Sequence, residues 1–168
     1  MTRDEDFSQY VSVRGPSLLR SALLLGCTRH EAEDLVQNTL AACYASWDKV
    51  VRARERDAYV YRVLTNMHVK SRRRRWWGEQ PTESLPERAD ADRTDHLANA
   101  DALRLALSAL TTADRATVVL RYYAQLSEAE TAQALGLAVG TVKSRTARAL
   151  SQLAQNPNLT DLQTEGTS

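Results

Sequence analysis

The feature of this sequence that most limits its fold is helical periodicity that fills two stretches and disappears between them. Residues 16–75 and 96–153 repeat apolar side chains at the three- and four-residue spacing of amphipathic helices. Between Gly78 and Leu97 the chain has two prolines, several acids and few apolar residues. Such a composition cannot offset the entropy of ordering the segment. With no strand alternation elsewhere, the pattern predicts an all-α protein of two small helical domains joined by a flexible acidic linker.

The expected boundaries follow from this pattern. We predict a first domain at residues 1–77, a linker at 78–95, a second domain at 96–155 and a disordered tail at 156–168, where the sequence is polar and contains a proline. A chain of 168 residues with 43% hydrophobic residues can bury two small cores.

Capping patterns set the expected helices of the first domain. Pro16 can occupy the first turn of a helix. Thr28 with Glu31 has the spacing of a capping box, which predicts a helix to Trp47. A basic loop at 48–56 would precede a helix at 58–75, with Asp57 as its cap. The apolar stripe of the second helix, which we expect in the core, is Ala32, Leu35, Val36, Leu40, Cys43, Tyr44 and Trp47.

Several function classes find no support in the sequence. The longest apolar run is far short of the roughly 20 residues of a membrane span, and the acidic N-terminus has no signal-peptide pattern. We therefore expect a cytoplasmic protein. No phosphate loop, nucleophile elbow or catalytic carboxylate pair is present, so we expect neither an enzyme nor a cofactor.

The cysteines and histidines do not form a metal-binding pattern. Cys27 and Cys43 are too few for a disulfide scaffold, and neither has zinc-ligand spacing. Burial is the expected role of Cys43, with a redox pair as the alternative. His30, His68 and His96 lack partners at metal spacing, and we expect each on the surface.

Charge is unevenly distributed although the net charge is only +1. Residues 52–75 hold nine Lys and Arg against two acids, and residues 79–101 hold seven acids against two Arg. Residues 140–155 carry three basic residues and no acid. Blocks of alternating sign indicate segments with different partners. The distribution predicts two basic surfaces and an acidic tether.

Residues 127–153 have the pattern of a helix-turn-helix. Ser127 and Glu130 form a capping box, Gly136 permits a tight turn, and a second helix follows from Val139. In the first helix we expect Ala129, Ala132 and Leu135 to face inward. In the second, the helical wheel turns Val142, Thr146, Ala149 and Leu153 inward.

The outward face of that second helix suits the major groove of DNA. Ser144 and Ala147 are small enough for close approach, and Lys143 and Arg148 can reach purine acceptors or phosphates. The amides of Gly140 and Thr141 at the helix start suit a phosphate. Arg145 lies on the flank, where it would clamp the DNA backbone or form an internal ion pair. The alternative is a helical hairpin whose basic face is only solvated.

Three segments together resemble the extracytoplasmic-function (ECF) sigma factors of bacterial RNA polymerase, and among them the SigE-like actinobacterial subgroup. Residues 120–150, LRYYAQLSEAETAQALGLAVGTVKSRTARAL, resemble region 4 of the family. Residues 32–47, AEDLVQNTLAACYASW, resemble region 2.2. Residues 58–83, AYVYRVLTNMHVKSRRRRWWGEQPTE, resemble regions 2.3 and 2.4 with the start of the linker. The resemblance extends over residues 7–153.

The resemblance implies an alternative sigma factor that directs core RNA polymerase to specific promoters, reads the −35 element and opens the −10 element. Core polymerase and promoter DNA are the implied partners, an anti-sigma factor is left open, and no membrane insertion is expected. The implied polymerase contacts are Asp34, Leu35, Gln37 and Asn38, of which three lie on a mostly uncharged exposed face. The implied −35 residues are those already placed on the second helix by the wheel.

For the −10 element the resemblance implies that Arg62 and Asn66 engage the non-template strand and that Tyr59 occupies a usually aromatic position. The run Arg72, Arg73, Arg74 and Arg75 would guide the DNA backbone electrostatically, as would Lys70. For Trp76 and Trp77 we favour packing against the first domain over stacking on bases.

The sequence also departs from the family pattern. Ala138 replaces a usual Ser and so removes a helix N-cap worth about 1 kcal/mol. Thr146 replaces a core Leu, Asn38 a common Glu, and Lys70 a frequent Asp. Two other functions remain open at this point: a free-standing helix-turn-helix regulator with a symmetric operator, and a helical adaptor with a basic surface.

Overall fold

The structure is a computed structural model that describes residues 1–78 and 94–159. Every regular element in these two ranges is helical, which confirms the predicted all-α fold. The predicted linker lies almost entirely outside the described residues. None of the helices within the two ranges is long and apolar enough to cross a membrane.

The first helix begins much earlier than the sequence predicted. Helix α1 extends over Arg3–Leu24 and contains Pro16 in its interior. Its start is fixed by a capping box: the Thr2 hydroxyl accepts from the Glu5 amide at 3.2 Å, and the Thr2 amide donates to the Glu5 carboxylate at 2.8 Å. Prolines are unfavourable inside helices, but the residues before Pro16 pack on the core through Phe7 and Tyr10. The expectation that Pro16 opens this helix was wrong.

The remaining helices of the first domain match the prediction more closely. Helix α2 extends over Arg29–Ala45, and the predicted capping box of Thr28 is present. The loop expected at 48–56 is instead largely a short helix, α3, at Trp47–Arg52, because Trp47 and Val50 bury one side of that turn. Helix α4 extends over Arg56–Gly78. Asp57 therefore lies in the first turn of α4 instead of capping it.

Trp47 is buried in the first domain's part of an apolar core that also contains residues of the second domain. Its ring lies edge-on to those of Phe7 and Tyr10, at centroid distances of 5.1 and 5.4 Å. Its indole N–H donates to the Asp6 carboxylate at 2.9 Å. The Tyr10 hydroxyl donates to Asp57 at 2.9 Å, so this core joins α1 to both α3 and α4.

Two expectations about individual side chains of this domain were wrong. Tyr44, expected in the core, is exposed. His68, expected on the surface, is buried beside Cys27, whose Sγ lies 3.5 Å from His68 Nδ1. Burial of Cys43 is confirmed, and it raises the pKa of that thiol to about 11. Cys27 and Cys43 are not joined by a disulfide.

The second domain consists of helices α5 at Thr94–Ser108, α6 at Thr112–Val118, α7 at Glu128–Leu135 and α8 at Val139–Ala154. A π-helical segment, Val119–Tyr123, continues α6. Residues 157–159 form one helical turn, and Leu159 packs against the core. The rest of the tail predicted to be disordered lies outside the described residues.

The two domains pack on each other, a feature that no sequence pattern predicted. The Thr65 hydroxyl of α4 shares its proton between the Tyr61 carbonyl of its own helix, at 2.9 Å, and the Ala134 carbonyl of α7, at 3.2 Å. The Arg72 guanidinium donates to the Thr112 hydroxyl at 3.3 Å. Arg115 of α6 donates to the Leu25 carbonyl at 3.3 Å. We call the three hydrogen bonds between the domains, with the apolar contacts around them, the interdomain contact.

Candidate nucleic-acid interface

Helices α7 and α8 form the predicted helix-turn-helix. The Ser127 hydroxyl accepts from the Glu130 amide at 3.0 Å, and the Ser127 amide donates to the Glu130 carboxylate at 2.7 Å. Gly136 ends α7 in the left-handed conformation at φ 66°, as the tight turn requires. Ala129 is exposed, so its expected inward position was wrong. Ala132 is buried and Leu135 packs against the core, as expected, and the buried Thr131 and Ala134 complete the inward face of α7.

The two faces of α8 agree with the helical wheel. Val142, Ala149 and Leu153 are buried. Lys143, Ser144, Ala147 and Arg148 are exposed on the opposite side. The exposed face therefore presents two small residues, Ser144 and Ala147, between two cations, Lys143 and Arg148.

The start of α8 has no side-chain cap. Ala138 occupies the N-cap position in an extended conformation and makes no capping hydrogen bond. Gly140 is exposed, and a Cβ built on it would meet no atom within 4 Å. The amides of Gly140 and Thr141 thus lie in an open first turn, where an anion can approach them.

Arg148 forms a bidentate ion pair with Asp114 of α6. Arg148 Nε lies 3.0 Å from Asp114 Oδ2, and Nη2 lies 2.7 Å from Oδ1. The Asp114 side chain is 1% exposed and the Arg148 side chain 58% exposed. The hydrogen bonds from Arg148 are the main cause that lowers the pKa of Asp114, and they raise the pKa of Arg148. Sequence reasoning missed this pair, because the two residues lie 34 positions apart on different helices.

Arg145 has a different environment from the other cations of α8. It is half-buried and lines a cavity of about 260 Å³ together with Thr65 and Val69 of the first domain. Lys143 approaches Glu128 of α7 at 3.7 Å. The internal ion pair considered for Arg145 is thus found at Arg148, one turn further along α8.

The basic residues of α4 do not all lie on one side. Arg62, Asn66, Lys70 and Arg74 follow each other at four-residue spacing, and all are exposed. Arg73 is exposed beside them, and Tyr59 is half-buried. Arg72 faces the second domain and takes part in the interdomain contact. The side chains of Arg75, Trp76 and Trp77 lie outside the described part of the structure, so their roles stay predictions.

A cleft of about 710 Å³ lies between α2 and α4. Asp34, Leu35 and Asn38 line it from α2, and Lys70 and Arg74 line it from α4. Asp34, Gln37 and Asn38 are exposed, as the sequence predicted. Leu35 is only 7% exposed and contributes to the core as well. The cleft brings the predicted polymerase-binding residues next to three of the predicted DNA-binding cations, Lys70, Arg72 and Arg74.

Comparison with known families divides the chain in the same way as the structure. Residues 11–78 match the family described as sigma-70 region 2. Residues 100–153 match the family described as sigma-70, region 4.

Full-length relatives support these matches. The chain is 40% identical over 157 residues to the RNA polymerase sigma-E factor of Streptomyces avermitilis, covering 94% of this chain and 88% of that protein. It is 41% identical to the sigma-E factor of Streptomyces coelicolor, covering 94% and 89%. Among solved structures, it resembles the sigma factor RpoE of Bartonella quintana, crystallised with the anti-sigma factor NepR. That match has a TM-score of 0.67 and 26% identity, and it covers 89% of this chain and 94% of the other.

Proposed function

Because the chain belongs to the ECF family of RNA polymerase sigma factors, it directs core RNA polymerase to promoters, and we propose that its two exposed basic surfaces divide the promoter elements between them. Sigma factors are transcription initiation factors, and we propose for this chain no catalytic activity of its own. Its place of action is then the cytoplasm, where promoter DNA and polymerase are found.

The −35 element is assigned to the exposed face of α8. The observation that carries the proposal is that Lys143, Ser144, Ala147 and Arg148 share one exposed face on the second helix of a helix-turn-helix. Such a helix fits the major groove, where Arg and Lys donate to guanine acceptors. The open first turn at Gly140 and Thr141 would receive a phosphate, and Arg145 would approach the DNA backbone from the flank.

The −10 element is assigned to the exposed row of α4. Separated strands bind to surfaces that combine cations for phosphates with flat or polar groups for bases. Arg62, Lys70, Arg73 and Arg74 supply the cations, and Asn66 and Tyr59 supply contacts for an unstacked base. Unstacking a base costs a few kcal/mol, so base capture at this row has to supply a comparable free energy. Arg72 and Arg75 are proposed to extend the cationic surface.

We assign the binding of core polymerase to the exposed face of α2 and to the cleft between α2 and α4. Asp34, Gln37 and Asn38 offer hydrogen-bonding groups there with little net charge, and Leu35 offers an apolar edge. Because the cleft also contains Lys70 and Arg74, binding of polymerase would fix the α4 row close to the enzyme. We also propose an anti-sigma partner, since the RpoE relative was crystallised with one.

The distance between the promoter elements requires the two domains to separate. A compact chain of this length is about 40 Å across. The −35 and −10 elements are about 25 base pairs apart, which is about 85 Å of straight duplex. The closed arrangement, in which the interdomain contact is formed, cannot reach both elements. Polymerase must therefore hold the domains apart. The free factor should therefore bind promoters weakly. Binding of one domain raises the effective concentration of the other domain at its own element only when polymerase fixes the distance between the domains.

Run-off transcription with purified core polymerase tests the function. We expect the chain to confer promoter-specific transcripts and Lys143→Ala to lower their yield about five-fold or more, because one good base or phosphate contact is worth about 1–3 kcal/mol. Lys49→Ala is the matched control, since Lys49 is an exposed lysine on α3, away from both surfaces.

A different result would favour the alternative function. If the chain yields no transcripts with core polymerase yet binds a symmetric operator tightly by itself, it acts as a free-standing helix-turn-helix regulator and the proposal is wrong.

A further inference from the structure

Arg148 is held in a geometry that leaves one particular edge of its guanidinium free. A guanidinium has five N–H donors in a fixed planar fork. Asp114 takes the side edge, because its two oxygens accept from Nε and Nη2. The end edge, formed by Nη1 and the outer N–H of Nη2, points away from the carboxylate. Two parallel donors therefore remain for another acceptor pair.

The carboxylate that holds Arg148 is itself immobile. Asp114 is buried at the first turn of α6, and its backbone amide donates to the Thr111 hydroxyl at 3.2 Å. A buried carboxylate fixed in this way restricts the rotamers of the long Arg148 side chain, which otherwise loses entropy whenever it is ordered. The free end edge therefore has a defined position before any ligand arrives.

That position lies on the face of α8 proposed to enter the −35 major groove. Ser144 and Ala147, the small residues of this face, let the helix come close to base edges. Guanine is the base that offers two adjacent acceptors, O6 and N7, to a forked donor.

We infer that Asp114 is a specificity-determining positioning residue, which holds Arg148 so that its end edge reads one guanine of the −35 element. The inference rests on the proposed function of α8. The same carboxylate would repel DNA phosphates slightly, so it would contribute to discrimination between bases and not to overall affinity.

A competing interpretation is that Asp114 withholds Arg148 from DNA. The two interpretations predict different effects of removing the Asp114 carboxylate on transcription. If Asp114 positions Arg148, its removal lowers base discrimination at one position. If Asp114 competes with DNA, its removal raises transcription from all promoters together.

The test is run-off transcription by holoenzyme on a promoter set that carries each of the four bases at every −35 position. With the unaltered chain we expect a preference for guanine at one position, which Arg148→Ala abolishes. Asp114→Asn should lower that preference about five-fold or more. Preferences at the other −35 positions should stay within about two-fold, because one bidentate pair contacts one base.

The control variant is Ser127→Ala. It removes the hydroxyl that caps α7, a different helix from those of Asp114 and Arg148, so it lowers thermal stability without changing the base preference. Melting curves of both variants separate a loss of fold from a loss of positioning.

The outcomes are distinct. If Arg148→Ala abolishes the guanine preference and Asp114→Asn leaves it intact, or raises transcription uniformly, the inference is overturned while the function of α8 stands. If neither Lys143→Ala nor Arg148→Ala changes transcription, the assignment of α8 to the −35 element fails, and the inference fails with it.

Discussion

Arg115 shows how a single side chain can join two domains without an ion pair. Its guanidinium donates to the carbonyls of Leu107, Ser108 and Leu110 at the end of α5, and to that of Leu25 at the end of α1. Helix C-termini carry partial negative charge and unpaired carbonyls, which stabilise a cation there. Burial, and then the nearby charge of Arg72, lower the pKa of Arg115.

Sequence reasoning predicts some residues of this molecule and misses others for a physical reason. The faces of α8 follow from local geometry, so Val142 inward and Lys143 outward were predictable. Arg115 binds main-chain carbonyls, which every residue possesses, and therefore leaves no complementary side chain in the sequence. Asp114 and Arg148 are complementary, but their 34-residue separation hides the pair.

Gly26 is the residue most closely fitted to Arg115. Its φ is 101°, and an added Cβ would lie 2.6 Å from Arg115 Nη1 and 3.3 Å from Arg72 Nη2. We expect Gly26→Ala to lower the free energy of unfolding by about 1–3 kcal/mol, from backbone strain and displacement of the buried guanidinium. Chemical denaturation measures this change.

The matched control for this prediction is Gly15→Ala. A Cβ at Gly15 meets only Val11 Cγ1, at an ordinary 3.9 Å, inside α1. This variant should be stabilised by up to about 1 kcal/mol, since alanine is the better helix former. Equal effects of the two substitutions would show that the fit of Gly26 to Arg115 has no energetic importance.

At the scale of helices, short capping patterns predicted element starts well, and isolated turn residues did not. The boxes at Thr28 and Ser127 are present as expected. The box at Thr2 was overlooked in favour of Pro16, although a capping box fixes a helix start and a proline merely permits one. Helix α3 was missed because two buried residues in a six-residue helix give too little periodicity to recognise.

Helix α8 is the element whose stability is most easily raised. Ala138 already has the extended N-cap conformation but no side-chain acceptor. Ala138→Ser should stabilise the protein by about 1 kcal/mol by accepting a hydrogen bond from an amide of the first turn. Thermal melting measures the gain. Ser127→Ala, at the corresponding position of α7, should lose a similar amount, and a melting point unchanged in both variants would contradict the role given to these caps.

At the scale of the whole molecule, the two-domain organisation was predictable and the packing between domains was not. The Thr65 hydroxyl and the Ala134 carbonyl that it binds are 69 residues apart. Both residues also fit ordinary helical positions, so neither signals a contact. The proposed DNA-binding rows on α4 and α8 nevertheless stay exposed in the closed arrangement.

Separation of the domains can be measured by energy transfer between dyes on Asp48→Cys in α3 and Ser151→Cys in α8, both exposed positions. Cys27 and Cys43 are buried, which favours labelling of the introduced thiols. In the free chain the dyes should lie within about 40 Å of each other. Adding core polymerase should lower the transfer efficiency, and an efficiency that does not change on forming active holoenzyme would contradict opening.

The chemistry of the interdomain contact makes the protein respond to ionic strength in two opposite ways. The hydrogen bonds that close it end on main-chain carbonyls and hydroxyls, which dissolved ions screen little, and two of the cations brought together there, Arg72 and Arg115, repel each other. Added salt relieves that repulsion while it weakens every phosphate contact of the two basic rows. In a cell that loses water, the ionic strength rises. The packed arrangement of the two domains would then persist, while the affinity of the factor for DNA falls.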